Sequence, residues 1–338
     1  MARSDLIVDL GAIRRNVRTL LRSLDRAELW AVVKADGYGH GAVDVGAASL
    51  GAGATALCVA TVPEALVLRH ALGAARILVM GPATGREVAD ARDAGLELVV
   101  ADGEIPEGVP VHFKLDSGMG RWGLAELPAL GREVVGLMSH FASADSDPAF
   151  TKQQIDRFQA ATVEHAHLTR HIANSAGVLR YPDAWFDAAR CGIALYGISP
   201  FGTDPADDGL EPALRWESQL EQVRLVQPGD STGYGRRWIA AEPTWIGIVP
   251  IGYADGFRRD LTGTEVRVGG EPARVVGTIS MDALAVELDD EPEGAEVTLI
   301  GDGILVEEHA RRLGTINYEV TCGIRSAPER AERRILDG

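Results

Sequence analysis

The stretch WAVVK at residues 30–34 is a short apolar run that ends in a lysine, and the glycine-rich ADGYGHG follows it at 35–41. Short apolar runs bounded by glycine or proline are typical of strands that are buried on both faces. Seven further runs of this kind follow: TALCVA (55–60), RILVM (76–80), LELVVA (96–101), PVHFKL (110–115), VVGLMSHF (134–141), HIANS (171–175) and DAAR (187–190).

Segments rich in alanine, leucine and glutamate separate most of these runs, and residues 62–71 and 152–170 are examples with helical spacing. Eight buried strands that alternate with helices predict the α/β class, as a (β/α)8 TIM-like barrel over residues 11–216. An open doubly wound sheet is the alternative. It is weakened because no glycine-rich dinucleotide fingerprint follows the first strand.

After about Trp216 the pattern changes to short strand-like runs between clusters of glycine, proline and aspartate, such as QPGD and VGGEP. The runs lie at 220–226, 244–251, 265–268, 274–276, 283–288 and 296–300. Residues 306–313 form the only segment here with a helical pattern. We therefore expect a mainly β C-terminal domain over residues 217–338, with the N-terminal residues 1–10 packed on it.

The charge balance restricts the partners of the protein. Lys and Arg number 33 and Asp and Glu 49, for a net charge of −16, which argues against nucleic acid or an anionic membrane surface. Three scattered cysteines, Cys58, Cys191 and Cys322, support neither a disulfide framework nor a zinc ribbon. The start of the chain has no apolar signal-peptide core, so we expect a cytoplasmic protein.

Polar residues follow the predicted strands at the rim where barrel enzymes carry their active sites. Each has an ordinary explanation when taken alone, but their convergence on one rim indicates a site. These residues are Lys34, Lys114, Asp116, Arg121, His140, Asn174, Ser175 and Arg190.

The turns after the last two strands suit a phosphate group. The Ser175 hydroxyl and the backbone N–H groups of Gly192 and Ile193 lie in SAG (175–177) and CGI (191–193), each before a predicted helix. A phosphate site near a strand-end lysine leaves two chemistries open: a Schiff base with a sugar phosphate, or pyridoxal 5′-phosphate held on the lysine.

The order of the motifs adds a family resemblance that covers nearly the whole chain. The sequence resembles alanine racemases, which are barrel-fold enzymes that depend on pyridoxal 5′-phosphate. The motifs that carry this resemblance are VVKADGYGHG, KLDSGMGRWG, SHFASAD, IANSAG, ARCGIALYG, GYADGFRR and GTISMD, in the order of the family.

The resemblance implies a role for each site residue. Lys34 would bind the cofactor covalently and serve as one catalytic base, and Tyr253 from the other subunit of a homodimer would be the second base. Arg121 and the Met281 backbone N–H would hold the substrate carboxylate, and Lys114 matches a position that the family often carbamylates. The remaining implied contacts are Tyr38, Ser175, Gly192, Ile193 and Tyr318 at the phosphate, Arg190 at the pyridine nitrogen, His140 near the ring, and Asn174 and Asp282 in support.

The implied function is the interconversion of L- and D-alanine, which supplies D-alanine for cell-wall peptidoglycan. Racemisation needs acid and base groups on both faces of the substrate, which agrees with a pair of bases.

A racemase of broader specificity, or a decarboxylase of basic amino acids, is an alternative within the same fold; the decarboxylase predicts a reactive cysteine near an aspartate. A non-enzymatic cofactor carrier is the third reading, but such proteins resemble the first domain only. No metal site is predicted, because His165, His167 and His171 lack an acidic partner.

Overall fold

The computed structural model describes residues 3–292 and 296–338. They form two compact units, one of residues 12–211 and one that joins the N-terminal residues up to 11 to residues 212–338. No helix within these described ranges is long and apolar enough to cross a bilayer.

The first unit is a barrel of eight parallel strands, which confirms the predicted fold class. Strand β1 (Ser4–Asp9) belongs to the second unit, so the barrel begins at β2. The barrel strands are β2 (Glu28–Val32), β3 (Ala56–Val59), β4 (Ile77–Val79), β5 (Glu97–Val100), β6 (Val111–Lys114), β7 (Val134–Met138), β8 (Thr169–His171) and β9 (Ala188–Cys191).

The strands pair in the order β8-β7-β6-β5-β4-β3-β2-β9. Two backbone hydrogen bonds join β8 to β9 and nearly close the ring: the Asp187 N–H donates to the Arg170 carbonyl at 3.0 Å, and the Arg190 N–H to the Ala173 carbonyl at 2.9 Å. The carboxyl ends of all eight strands therefore lie at one rim, as in other barrels of this class.

Helices connect most of the barrel strands. They are α1 (Leu10–Ser23), α2 (Lys34–Tyr38), α3 (Ala42–Gly51), α4 (Val62–Leu72), α5 (Gly85–Asp93), α6 (Pro148–Thr162) and α7 (Ser175–Arg180). The helix predicted over 152–170 was extended too far, since Thr169 already begins β8. Within the described chain, the connections 101–110 and 115–133 contain no helix, which departs from regular alternation.

All eight predicted barrel strands differ from the observed ones by at least one residue at one or both ends, and three show this most clearly. The strand of WAVVK ends at Val32, that of VVGLMSHF ends at Met138, and His171 ends a strand that it was expected to open. The reason is that the residues past the strand ends are buried too: Val33 is 1% exposed and Ile172 is fully buried. An apolar run therefore does not mark the end of a strand.

The second unit is built on a nine-stranded sheet with the order β11-β14-β17-β16-β15-β18-β10-β1-β19. Strand β1 pairs in parallel with β19 and antiparallel with β10. The remaining strands of this unit are β10 (Leu214–Gln219), β11 (Gln222–Val226), β12 (Ser231–Thr232), β13 (Trp238–Ile239), β14 (Thr244–Val249), β15 (Glu265–Val268), β16 (Glu271–Val276), β17 (Leu284–Leu288), β18 (Glu296–Ile300) and β19 (Ala331–Leu336).

Two expectations for this unit need correction. Strand β10 runs through the boundary placed at 216/217, so that residues 212–216 lie with the second unit. Among the described residues of this unit, two α-helices are present rather than one, α8 (Val306–Leu313) and α9 (Asn317–Gly323). Helix α9 has only seven residues, too few for a periodic pattern to be recognised.

Candidate active site

Lys34 begins the turn that follows β2, and the backbone of this turn is left-handed. Ala35, Asp36, Gly37 and Tyr38 have φ values of 53°, 50°, 63° and 53°. Only glycine adopts this conformation without cost, and other residues lose roughly 1–2 kcal/mol each. Such strain is typical of functional sites, and it persists only where the surroundings enforce it.

Glu64 is one of the groups that enforce this turn, and sequence reasoning missed it. Its carboxylate accepts hydrogen bonds from the N–H of Ala35 at 2.7 Å and from the N–H groups of Ala60 and Thr61 at 2.8 and 3.1 Å. Glu64 thus joins the turn of Lys34 to the loop after β3. The Thr-x-x-Glu capping box of α4 was the available signal.

Arg190 lies on β9 and is 3% exposed. Its Nη1 donates to the Nδ1 and the carbonyl of His171 at 2.6 and 3.0 Å. Its Nη2 donates to the Ser139 carbonyl at 2.8 Å and to Nδ1 of His140 at 3.2 Å. Within the described residues Nε makes no hydrogen bond, so one N–H remains available to a ligand.

The pKa shifts show which cations share this rim. Burial lowers the pKa of Arg190 to about 10, so the guanidinium stays charged at neutral pH. Burial is the main reason why the pKa of His140 lies well below its usual range. Four nearby positive charges lower it further, those of Arg190, Arg121, Lys114 and Lys34. His140 is therefore a neutral ring among four cations.

Tyr38, Ser175 and Gly192 form a second cluster at the rim. The Ser175 hydroxyl accepts from the N–H groups of Gly192 and Ala194 at 3.1 and 3.3 Å. A Cβ at Gly192 would lie 2.4 Å from the Tyr38 hydroxyl, so this close approach requires glycine. Asn174 caps α7 by accepting from the Gly177 N–H at 2.9 Å. Ile193 is buried and begins the short helical turn that follows Gly192.

Lys114 ends β6 and is 2% exposed. Burial, together with the charges of Arg121 and Arg190, lowers its pKa to about 8. Lys114 and Arg121 both lie over the ring of Trp122, at 5.4 and 5.3 Å from its centroid. The Asp116 carboxylate accepts from the backbone N–H groups of residues 118–120 and so shapes the loop that carries Arg121.

The remaining predicted residues belong to the second unit. The turn of Tyr253 is bound to that of Met281, since the Tyr253 N–H donates to the Ser280 carbonyl at 3.1 Å and the Ala254 N–H to the Met281 carbonyl at 3.0 Å. The Asp282 carboxylate pairs with Arg330 at 2.8 Å. Tyr253 and Met281 are 42% and 51% exposed. Tyr318 lies in the first turn of α9, half-buried.

Tyr234 is a second exposed tyrosine of this unit, and sequence reasoning passed over it. It is 72% exposed and lies between two glycines with positive φ, Gly233 and Gly235. Its carbonyl accepts from the Thr278 hydroxyl at 2.9 Å, so its loop is fastened to the segment that leads to Met281. The Gly-Tyr-Gly sequence was the signal that could have identified it.

Known proteins match the chain over nearly its whole length. The family model "Alanine racemase, N-terminal domain" matches residues 8–200, and "Alanine racemase, C-terminal domain" matches residues 213–333. An alanine racemase of Symbiobacterium thermophilum is 39% identical, over 94% of this chain and 93% of the relative.

Two solved structures extend the likeness to three dimensions. The alanine racemase of E. faecalis has a TM-score of 0.91 and 34% identity over 99% of this chain and 98% of its own. That of Bartonella henselae, with covalently bound pyridoxal phosphate, has a TM-score of 0.90 and 27% identity over 98% and 99% of the two chains. The match of both domains argues against a carrier that shares only the barrel. The chain belongs to the alanine racemase family of isomerases, the enzymes that interconvert L- and D-alanine.

Proposed function

We propose that Lys34 holds pyridoxal 5′-phosphate, the cofactor of the family, at the rim of the barrel. The observation that carries this proposal is the hydrogen bonding of Arg190, which leaves only its Nε–H available. A pyridine nitrogen is a single acceptor, and a donor-only side chain with one remaining N–H fits it. When bound, the cofactor withdraws electrons from the attached amino acid and so acidifies its Cα–H.

Arg190 also explains why the site favours racemisation. With a pKa of about 10 it keeps its own proton at neutral pH, so it would donate a hydrogen bond to the ring nitrogen without protonating it. An unprotonated ring withdraws electrons less strongly than one that faces a carboxylic acid. Return of the proton to the substrate is then favoured over transamination.

We assign the phosphate to the cluster of Tyr38, Ser175 and Gly192, with Ile193 beside it and Asn174 fixing the start of α7. The close approach of the Tyr38 hydroxyl to Gly192 supports this assignment. The family resemblance implies Tyr318 as a further phosphate contact. His140, neutral and held by Arg190, would pack against the cofactor ring, as the family resemblance implies.

Arg121 and the Met281 backbone N–H bind the substrate carboxylate in this proposal. Asp282 supports the turn of Met281 through its pairing with Arg330. Lys114 is suited to carbamylation, because a pKa of about 8 makes its neutral amine available. The amine nitrogen would bond to the carbon of CO2 and lose a proton, which gives a carbamate anion that can pair with Arg121.

Two bases act on opposite faces of the substrate, because one rigid side chain cannot reach both. Lys34 serves the face of the D enantiomer, and a tyrosine of the second unit serves the face of the L enantiomer. Tyr253 is the tyrosine that the family resemblance suggested. The exposures favour Tyr234 instead, since 72% of it is free to enter another molecule while Tyr253 borders a pocket of its own unit with Leu313 and Glu319.

These exposures support a homodimer with shared sites. A side chain that must complete a site on another chain has to project from its own unit, and both tyrosines and Met281 do so. In a two-fold dimer each barrel receives the same residues from its partner.

The test uses the purified protein and alanine. L-alanine should be converted to an equal mixture of enantiomers, as measured by chiral chromatography. In a separate sample without alanine, reduction with borohydride should fix the cofactor on Lys34, as found by peptide mapping. Lys114 is the internal control, because it is another lysine at the same rim and its lowered pKa makes its amine reactive. A label on Lys114, or alanine that stays in the L form, would contradict the proposal.

The product is D-alanine for peptidoglycan, the general role of this family. We place the enzyme in the cytoplasm, where that precursor is needed. Cys58 and Cys191 are buried thiols outside any disulfide in the described chain, as is usual in a reducing compartment.

A further inference from the structure

A line of polar side chains leads from Arg190 through the interior of the barrel, and the racemase chemistry does not account for it. Nη1 of Arg190 contacts Nδ1 of His171 at 2.6 Å, and Nε2 of His171 contacts Nδ1 of His112 at 2.8 Å. Nε2 of His112 contacts a carboxylate oxygen of Glu97 at 2.8 Å. Arg76 donates to Glu97 at 2.8 and 3.1 Å. We name Arg190, His171, His112 and Glu97 the relay.

The packing of the barrel strands leaves space for these side chains to contact one another. Strand β7 lies between β6 and β8, and in its register Gly136 stands between His112 and Thr169. A Cβ at Gly136 would lie 2.1 Å from Nδ1 of His112, so only glycine leaves room for the ring to reach His171. Trp30 packs on the two histidine rings, with centroids 5.7 and 4.6 Å away.

The two ends of the relay fix every proton within it. Arg190 can only donate, so Nδ1 of His171 accepts and the proton of His171 is on Nε2. Nε2 of His171 donates to Nδ1 of His112, whose own proton is then also on Nε2. That proton is donated to Glu97, which as a carboxylate can only accept.

The charges agree with this assignment. His112 and His171 are fully buried, and burial first lowers the pKa of both, so each ring is neutral. Hydrogen bonds from His112 and Arg76 outweigh the effect of burial on Glu97 and lower its pKa to about 2. At neutral pH the relay therefore ends in an ionised carboxylate at Glu97 and in a charged guanidinium at Arg190.

We propose that Glu97 is a positioning residue that acts on Arg190 through His112 and His171. By holding both rings as Nε2–H tautomers it keeps an unprotonated nitrogen directed at Nη1 of Arg190. The guanidinium is thereby locked with its Nε–H left for the cofactor. This inference rests on the proposed function for its catalytic consequence, whereas the tautomers themselves do not depend on it.

The test measures the tautomers by two-bond 1H–15N NMR of the 15N-histidine-labelled holoenzyme, which has eight histidines. In the wild type, His112 and His171 should both be Nε2–H tautomers. In Glu97→Gln the carboxamide can also donate to His112, so both residues should shift together toward the Nδ1–H form. We expect racemisation to fall about 10-fold, the effect of a lost hydrogen bond to a charged group, and the share of transamination to rise.

Glu28→Gln is the matched control. Glu28 also pairs with Arg76, at 3.6 Å, but touches neither histidine, so the tautomers and the transamination share should stay as in the wild type. Gly136→Ala should reproduce the effect of Glu97→Gln by displacing the His112 ring. An Nδ1–H tautomer in the wild type, or unchanged tautomers or an unchanged transamination share in Glu97→Gln, would overturn the proposal. A protein that shows the predicted tautomers but does not racemise alanine would overturn the proposed function instead.

Discussion

In the barrel, the groups of the candidate site are buried and held from several sides: Arg190 is 3% exposed and Lys114 2%, and backbone or side-chain partners surround both. In the second unit, Tyr234, Tyr253 and Met281 are 72%, 42% and 51% exposed. Buried and fixed groups suit the binding of a cofactor, which must not move. Exposed groups on short turns suit a surface that completes a site elsewhere. These exposures support our proposal that the barrel carries the cofactor site and that the second unit supplies residues to a site on another chain.

The largest effect should come from the exposed tyrosines. Tyr234→Phe removes the phenol that we favour as the second base, and general acid–base groups contribute about 10²–10⁴-fold, so racemisation should fall by that factor. Lys34 remains, so D-alanine should still exchange its Cα proton with deuterium while L-alanine does not. Proton NMR in deuterated water measures both.

Tyr253→Phe is the matched control for this variant. It removes the same hydroxyl from the other exposed tyrosine, and we expect a loss of less than about 10-fold with exchange from both enantiomers. If Tyr253→Phe instead shows the large loss and Tyr234→Phe the small one, Tyr253 is the base, as the family resemblance first suggested. Exposure would then not identify the catalytic tyrosine.

The next largest effect should come from replacing Arg190, a buried residue of the barrel. Arg190→Glu places a proton donor where the guanidinium was, which strengthens electron withdrawal by the ring. Racemisation should fall on the order of 100-fold, as expected from the loss of charged hydrogen bonds, and pyruvate from transamination should increase. Arg190→Lys keeps a donor of high pKa, so the rate should fall without the increase in pyruvate. Equal pyruvate from both variants would show that Arg190 does not face the ring nitrogen.

Lys114 should have a smaller effect, which is on the pH dependence of the free energy of unfolding. Burial and the charges of Arg121 and Arg190 lower its folded-state pKa to about 8 from 10.5, so between these pH values the unfolded chain binds a proton that the folded chain does not. Stability should therefore rise with pH across this window, by on the order of 3 kcal/mol, relative to Lys114→Met. Urea unfolding in CO2-free buffer at pH 7.5 and 10 measures it, and curves that differ equally at both pH values would contradict it.

The smallest effect separates the strained turn from ordinary helix capping. Glu64 and Glu87 occupy the same position in two capping boxes, with Thr61 and Thr84, but only Glu64 also accepts from the N–H of Ala35. Glu64→Ala and Glu87→Ala should each cost about 1 kcal/mol of stability. Only Glu64→Ala should weaken cofactor binding, by roughly 5-fold for an effect of about that size. Equal cofactor affinity in both variants would mean that the turn of Lys34 holds without Glu64.

The barrel could be predicted because its eight strands are continuous apolar runs, and burial on both faces requires such runs. The same burial hid where the strands end, as at Val33 and Ile172, which are buried beyond β2 and β8. The left-handed turn at Ala35 and Asp36 was not predictable, because neither residue prefers that backbone and the carboxylate of Glu64 lies 29 residues away.

The relay escaped prediction for a related reason. His112 and His171 are 59 residues apart, and the sequence raised His171 only as a metal ligand that lacked an acidic partner, so no site was predicted there. What brings the two rings together is the register of β6, β7 and β8 and the missing side chain of Gly136. Residues that act through the register of neighbouring strands leave no local pattern. Family motifs instead suggested the proposed cofactor residues, several of which lie in short turns such as IANSAG.

The central claim is that the barrel of one chain works with the second unit of another, and mixing two inactive variants tests it most directly. Lys34→Ala and Tyr234→Phe are mixed under conditions of subunit exchange, with mixed dimers verified by mass spectrometry, and the mixture is assayed for racemisation; a parallel mixture uses Tyr253→Phe. A mixed dimer has one site with both changes and one with neither, so random exchange should restore about a quarter of wild-type activity. If mixed dimers form and neither mixture regains activity, each site is built within one chain and the claim is wrong.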